Sequence, residues 1–589
     1  MASILRAWPA LAVLAVSPLR AQLTYDGCSA LAAADFKAVE LFNKKGTNGA
    51  AADADLSEPT RMDVRIVYNA DGSYKHTDVI FVERTGAVKW FDGAAKKVSV
   101  IGNITVHAGP GSQDDNGLMG VVFHPDFEKN RWVFLWYTPK TTYHKDNATT
   151  GGQNRQMRLS RFTLAADNKL DMASEKSILK ILGSKVDQWH CGGPMTFDSY
   201  GDLWVAVGNN GPDLDVNGCS AGNSVLHKTD STASQEWGSS NTASMRGGFL
   251  RIHPDSSDKG YSIPKGNFGE YWANKFEQAG NAALAEQYRD PKKVLPEIYV
   301  KGERSNFSVA VHPTKRWLGW GTVNYASNND EFNITNHPIF SGYPYFHKDN
   351  QTTCNHGKSV DKPTNNSPLN SGVVDLPPAV PSTLSLINVA IGGPIYSFDP
   401  TNKYEGKFPP HFDNKWLVAG FGRSGATWDI WAVTVDDTKD PMKSVNTTAL
   451  KGGLFSGVPI RNFVGATFGK DGALYILNYD GDYGTANNPG LVRVTYSGAC
   501  KVVSNKPRPN VAPYQNIWFD LQGISVREAG PHAIQLLDME GKRVWGDQAP
   551  DARTYRFADI RARSGLKPGV YLARILTPAG ETSRRVSIF

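Results

Sequence analysis

Four stretches of the chain share one alternation of apolar and polar positions. They are "NGLMGVVFHPDFEKNRWVFLWYT" from Asn116, "HCGGPMTFDSYGDLWVAVGNN" from His190, "RSNFSVAVHPTKRWLGWGTVN" from Arg304 and "RNFVGATFGKDGALYILNYDGD" from Arg461. In each, a short apolar run ends at Phe123, Phe197, Val311 or Phe468. A turn rich in Pro, Asp and Gly follows, and a second apolar run opens near Trp132, Leu203, Trp317 or Leu474. This is the pattern of an antiparallel hairpin. Two looser members, "TDVIFVERTGAVKWFD" from Thr77 and "NKWLVAGFGRSGATWDIWAVTVDD" from Asn414, bring the units to six between about Met62 and Thr495. A hairpin unit leaves a sheet face uncovered, and a ring of such units covers each face with its neighbour. The expected fold class is therefore all-β, a six-bladed β-propeller; seven blades or a β-sandwich are the other arrangements. The stretch "EYWANKFEQAGNAALAEQ", from about Glu270 to Glu286, reads as helix inside an insertion.

The alternation changes character near residue 516. "HAIQLLDMEGKRVW" and "PGVYLARILTPAGETSRRVSIF" are two further hairpins, enough for a small C-terminal β-sandwich. The Pro-rich "NKPRPNVAPYQ" before it is a linker. The expected organisation is a signal peptide over 1–21, an N-terminal extension over 22–60, the propeller over 61–503, the linker over 504–515 and the sandwich over 516–589.

Composition agrees with a turn-rich β protein: 57 Gly and 34 Pro in 589 residues. A formal net charge of +6 over that length, with no basic stripe, gives no reason to expect nucleic acid. The opening "MASILRAWPALAVLAVSPLRAQ" has one early Arg, an apolar run from Ala7 to Val16 and small residues near Ala21, as secretory signals do. No later apolar run is long enough to span a bilayer as a helix. The expected location is secreted or cell-surface. In that setting some of Cys28, Cys191, Cys219, Cys354 and Cys500 should be paired; 191 with 219 and 28 with 500 are the guesses, leaving Cys354 over.

Counting back seven residues from the end of each first apolar run lands on Asn116, His190, Arg304 and Arg461. All four are polar and all precede an inner strand. In a propeller the starts of the inner strands face one central mouth, so the repeat predicts that these side chains converge there. A neutral imidazole accepts a proton near pH 7, and guanidiniums hold anions or quinone oxygens by charge-assisted hydrogen bonds. His124 and His312 instead fall at the turn position, and His253 sits in a similar turn, so these read as turn residues. "DLDVNG" places Asp213, Asp215 and Asn217 at the spacing of a calcium loop, although Ser224 stands where that loop has Glu; an Asx-rich turn is the other reading.

"GLMGVVFHPDF", "HCGGPMTFDSYGDLWVAVGN", "GGFLRIHPD", "NDEFN" followed by "GYPYF", and "DGALYIL" resemble the glucose/sorbosone dehydrogenase family, in order, from about Val79 to Val494. The resemblance implies a soluble quinoprotein on a six-bladed propeller, with pyrroloquinoline quinone (PQQ) and calcium. By resemblance His190 is the general base, Arg304 and Arg461 contact the cofactor, and Asn116 and Asn306 stand beside it. Arg423 is the nearest cation to a lysine of the family's fifth blade. The chain departs from the family at Ser305, at "PIRN", which keeps one arginine of a usual pair, and at Asn209 where the family often has Asp. The implied partners are a sugar or oligosaccharide and an external electron acceptor. A non-catalytic propeller binding a glycan or a protein at the same mouth is the alternative. A lactonase-like hydrolase would need a carboxylate-ringed metal that the register does not supply. The C-terminal piece resembles bacterial secretion-sorting domains, which implies secretion machinery as a further partner.

Overall fold

A computed structural model describes residues 25–26, 31–109, 115–140, 156–183, 189–210, 238–323, 330–352, 374–387, 389–422, 429–498, 500–502, 517–519, 523–526, 532–538, 543–577 and 580–588. Outside them lie the expected signal peptide, the whole of the linker, Arg423, Asp213, Asp215, Asn217, Cys28, Cys219 and Cys354. The chain forms two compact units, one of residues 27–501 and one dominated by residues 502–589. Both are built mainly of strands.

The larger unit holds six antiparallel meanders. The first sheet runs Pro59–Tyr68, Tyr74–Glu83, Ala87–Asp92, Lys97–Asn103, and the second Leu118–Phe123, Trp132–Tyr137, Gln156–Leu164, Leu170–Leu182. The third runs Met195–Phe197, Leu203–Val207, Gly248–Pro254, Ile298–Lys301, with Ile339–Phe340 added at its edge. The fourth begins with the broken strand Ser305–Asn306 and Ala310–Val311, then Leu318–Val323, Glu331–Thr335 and Leu384–Ser385. The fifth is Ala390–Ile391, Trp416–Gly420, Ile430–Asp436 and Lys443–Ala449. The sixth takes Phe463–Phe468, Leu474–Asn478 and Gly490–Tyr496 from the end of the unit and Phe36–Asn43 from its beginning, with Ala51–Ala52 added in parallel at its edge. No sheet closes on itself among the described residues. The contacts between sheets instead run in cyclic order: Pro59–Tyr68 lies against Leu118–Phe123, that strand against Met195–Phe197, and so on until Phe463–Phe468 returns to Pro59–Tyr68.

Burial explains why the strands differ in composition. Leu118–Phe123 is buried along its whole length, and so carries apolar residues on both faces. Fourth strands such as Lys97–Asn103 and Lys443–Ala449 have little burial and are correspondingly polar. The turn position after three of the first strands is occupied by an acceptor for turn amides. Asp198 accepts from the amides of Tyr200 and Asp202 at 2.8 and 3.0 Å, and His124 and His312 do the same through Nδ1 for Asp126 and Thr314. His253 bonds Asp202 at 2.9 Å. His124 and His312 are turn residues, as their register implies; His253 is corrected, since it lies within the strand Gly248–Pro254 and pairs with Ser262.

The four well-matched repeats are first and second strands, with ends at Phe123, Phe197, Val311 and Phe468 as expected. The two looser ones correct the reading. "TDVIFVERTGAVKWFD" and "NKWLVAGFGRSGATWDIWAVTVDD" are the second and third strands of their sheets. Their first strands, Pro59–Tyr68 and Ala390–Ile391, lie upstream; the latter is only two residues long and gives no periodic signal. The expected single helix near 270–286 is two, Phe268–Gln278 and Ala282–Arg289, because Gly280 at φ 80° ends the first. The expected 191–219 pairing is not made: Cys191 is a buried thiol, 3.6 Å from the Asn210 side-chain amide.

The smaller unit has a three-stranded sheet (Ile517–Phe519, Gly523–Val526, Arg553–Arg556) and a four-stranded one (Arg543–Ala549, His532–Leu537, Gly569–Thr577, Gly580–Ile588). Ile524, Leu536, Ala573 and Ile588 belong to one shared core. Both expected hairpins are present, and helix Phe557–Ser564 is an addition.

The stretch 22–60 is more than an extension. Phe42, fully buried on the strand Phe36–Asn43, stacks on Phe81 of the first sheet at 4.5 Å and 18°. Phe42→Ala should therefore cost about 3–5 kcal/mol, a deleted buried ring with its cavity. Denaturant unfolding of the purified variant measures it.

Candidate functional site

His190 stands just ahead of the first strand of the third sheet, in a conformation that few side chains adopt. Its φ is 59°, and Gly192 and Gly193 follow at 73° and 131°. A non-glycine residue held there costs roughly 1–3 kcal/mol, so something must hold it. Asp115, immediately before Asn116 of the second sheet, does so. Its carboxylate accepts from the backbone amides of His190 at 2.8 Å and Cys191 at 3.2 Å. The carbonyl of His190 accepts from the Asn210 amide at 3.1 Å, and that of Cys191 from Trp136 Nε1 at 3.2 Å. Gly208 gives the room: a Cβ there would lie 2.0 Å from the His190 carbonyl oxygen.

The imidazole itself is buried and oriented. Nδ1 is 3.0 Å from Asn209 Oδ1, and Asn209 Nδ2 donates to Ser239 Oγ at 3.2 Å, which fixes the direction of the amide. With an oxygen facing it, Nδ1 carries the proton in neutral histidine and Nε2 is the basic nitrogen. Asn209 also ties this group to the fourth sheet, its amide donating to the Arg304 carbonyl at 2.8 Å. Arg304 is buried, with Nη1 2.9 Å from the Val323 carbonyl. Asn306, two residues on, donates to the Val207 carbonyl at 3.2 Å, and its buried Oδ1 has no hydrogen-bond partner. Asn116 is buried beside Arg84, whose guanidinium reaches its carbonyl at 3.5 Å and bonds Glu58 at 3.1 Å.

His190, Arg304, Asn306 and Asn116 thus belong to one network across four sheets. Arg461 does not join it. Its guanidinium bonds Glu40 on Phe36–Asn43, the strand its sheet takes from the start of the unit, and Nε lies 3.3 Å from Asp480. The expected convergence is corrected at this member: two carboxylates draw the cation outward, where it fastens the N-terminal strand. Asn462, the next residue, makes the inward bonds instead, to Gly422 and Gly481.

Sequence reasoning missed several members. Asp115 adjoins a register position. Arg84, and Asn209, noted there only as a departure from the family, both follow second strands, so an alignment extended to those ends would have found their part. Arg61 was hidden by the displaced register of the first unit. Its guanidinium leaves the first sheet and donates to the Phe307 carbonyl of the fourth at 2.6 Å and the Val464 carbonyl of the sixth at 3.1 Å. Burial lowers its pKa to about 10. Glu303, beside Arg304, is buried, and burial, aided by the nearby Glu331 charge, pushes it up to about 8 against the lowering effect of Ser341, Thr322 and Trp320. Asp330 and Glu331 brace loop amides of Val389 and Lys348.

Residues 72–256 match the family model "Glucose / Sorbosone dehydrogenase", which bears out the resemblance over the segment that carries Arg84, Asp115, Asn116, His190 and Asn209. Hedgehog-interacting protein of Mus musculus is 23% identical over 186 residues, 31% of this chain and 25% of that protein. An uncharacterized protein of Synechocystis is 22% identical over 319 residues, 53% of this chain and 64% of its own. The chain thus spans between a quarter and under two thirds of these curated relatives. Among solved structures, a putative oxidoreductase (glucose dehydrogenase) of Thermus thermophilus aligns at TM-score 0.47 and 15% identity, over 78% of this chain and 99% of that one. The PQQ-bound aldose sugar dehydrogenase of Streptomyces coelicolor aligns at 0.42 and 14%, over 74% and 100%.

Two outcomes follow from this geometry. Gly208→Ala should displace the His190 loop and lower stability by about 1–3 kcal/mol, as overpacking does, read as a fall in the denaturation midpoint. Glu303 holds a proton in the fold between about pH 4.5 and 8 that the unfolded chain has released. Its contribution to stability therefore declines as pH rises through that window. Glu303→Gln should flatten the dependence of unfolding free energy on pH there.

Proposed function

We propose that the six sheets are the blades of a propeller and that the protein is a quinoprotein oxidoreductase acting on a sugar hydroxyl or hemiacetal. The carrying observation is His190, clamped by Asp115 and set in one tautomer by Asn209, within the segment that matches the dehydrogenase family. Nε2 takes the proton of the substrate hydroxyl as the hydrogen on carbon leaves as hydride. Asn209 holds the imidazole, and the imidazolium so formed stays bonded to its oxygen.

PQQ fits the donors of this mouth in kind. Arg304 and Asn306, with Asn116 beside them, would hold its oxygens, and the orphaned Asn306 Oδ1 is the kind of buried polar atom that a ligand satisfies. When bound, the quinone supplies the hydride acceptor. Arg461 is left out of the holding set, since Glu40 and Asp480 engage it. Arg423 and a calcium ion remain part of the proposal through the resemblance alone, and a calcium loop at Asp213, Asp215 and Asn217 through its spacing alone.

The match to Hedgehog-interacting protein favours a second reading, a non-catalytic propeller that binds a glycan or a protein at the same mouth. The proposal also includes export by the N-terminal signal, pairing of Cys28 with Cys500, and a C-terminal sandwich that serves secretion machinery. Among the described residues no helix is long and apolar enough to cross a membrane.

Purified protein loaded with PQQ and calcium should reduce a redox dye with at least one of a panel of sugars. His190→Ala should lower turnover by about 100- to 10,000-fold and leave PQQ binding, followed by absorbance titration, unchanged. No PQQ binding at micromolar concentration would favour the non-catalytic reading.

A further inference from the structure

The hairpin Gly481–Asp482/Thr485–Ala486 projects from the sixth sheet between its second and third strands, at the end where Arg461 and Asn462 lie. It is held there tightly. Asn462 donates to the Gly481 carbonyl at 2.6 Å, and the Gly484 amide donates to the Tyr479 hydroxyl at 2.8 Å. The loop of this hairpin presents Tyr483. Its ring stacks on Tyr479, centroids 6.2 Å apart at 16°, and the guanidinium carbon of Arg84 lies 5.8 Å from its centroid. The ring is thus held by two neighbours on two different sheets. Its hydroxyl is buried and has no hydrogen-bond partner. A buried hydroxyl left unpaired costs about 1–3 kcal/mol, and such groups in native proteins call for an explanation.

The neighbours place this hydroxyl in the His190 network. Arg84 bonds the Asn116 carbonyl and Glu58, and Tyr479 bonds Glu58 at 3.3 Å. Asp115, one residue before Asn116, holds the His190 and Cys191 amides. We infer that Tyr483 is a specificity-determining residue of the mouth, its hydroxyl hydrogen-bonding a hydroxyl of a bound sugar away from the reacting carbon. This deepens the sugar-oxidising reading and rests on it. A sugar is the ligand that suits the surroundings. The charged groups that act on the phenol, the Arg84 cation and the Asp115 and Glu58 carboxylates, are of both signs, and with the phenol they offer donors and acceptors to a polyol. Burial, and then the charge of Asp115, raises the Tyr483 pKa well above that of an ordinary phenol. The group therefore keeps its proton and stays a donor throughout the working pH range.

The test is Tyr483→Phe in the full chain, with and without PQQ and calcium, read in three ways. Thermal unfolding should be unchanged or higher than wild type, because the lost hydroxyl bonds nothing in the protein; a clear fall would assign it a structural partner and overturn the proposal. With the sugar that wild type oxidises best, KM should rise about five- to tenfold with kcat within about twofold, the loss of one hydrogen bond. Across a series of monodeoxy analogues, wild type should discriminate against one and the variant should not. Turnover with an unchanged KM and an unchanged deoxy profile would overturn the role of Tyr483 and leave the enzyme reading standing. Calorimetric binding of the same sugars to protein without cofactor separates the other failure. Sugar binding weakened by Tyr483→Phe with no turnover would keep the role of Tyr483 and overturn the oxidoreductase, and neither binding nor turnover would overturn both.

Discussion

The sixth sheet cannot be completed by its own end of the chain. Three of its strands lie between Phe463 and Tyr496, and the fourth, Phe36–Asn43, comes from more than four hundred residues earlier. Everything else in the larger unit depends on that pairing. It brings Phe42 onto Phe81 of the first sheet, so the last sheet and the first are packed by the same strand that joins them. It also explains what Arg461 does. With Glu40 on the arriving strand, the guanidinium has a carboxylate to meet on the outside of its sheet, and it spends its charge on that join. Long-range pairing of this kind bears a loop-closure entropy, which grows only slowly with length and is offset once the apolar faces are covered.

The ordering of the first strands in a cycle has a chemical consequence. Each loop that enters a first strand faces the corresponding loops of its neighbours, so short polar side chains from different sheets can hold one another's backbone. Asp115 holds His190; Asn209 holds both the imidazole and the Arg304 carbonyl; Asn306 holds Val207. The left-handed backbone at His190 is a strained point of this arrangement, and it is surrounded by the partners needed to keep it so. A rigidly set imidazole with a defined basic nitrogen suits proton abstraction, since little reorganisation remains to be done in the transition state.

Much of this was legible in the chain. The hairpin repeats, the ends of their first strands and the position of His190 follow from periodicity, because second strands buried along nearly their whole length must be apolar and the turns before them polar. The resemblance to glucose/sorbosone dehydrogenases was legible for the same reason, in turns and glycines whose backbone has few alternatives. Two strand registers were not, since Ala390–Ile391 is too short to show a period and Pro59–Tyr68 is half-buried along most of its length and mixes Arg and Asp with its apolar residues. Arg61 and Glu58 went unseen with them.

The sequence by itself determined the all-β class, the repeat, and a histidine standing just ahead of an inner strand, since these depend on local spacing and on which faces need covering. Only the tertiary structure decided which charges meet. Whether a guanidinium turns inward, as Arg61 does to two distant carbonyls, or outward, as Arg461 does to Glu40, depends on partners hundreds of residues away, and electrostatic attraction acts over space without regard to position along the chain.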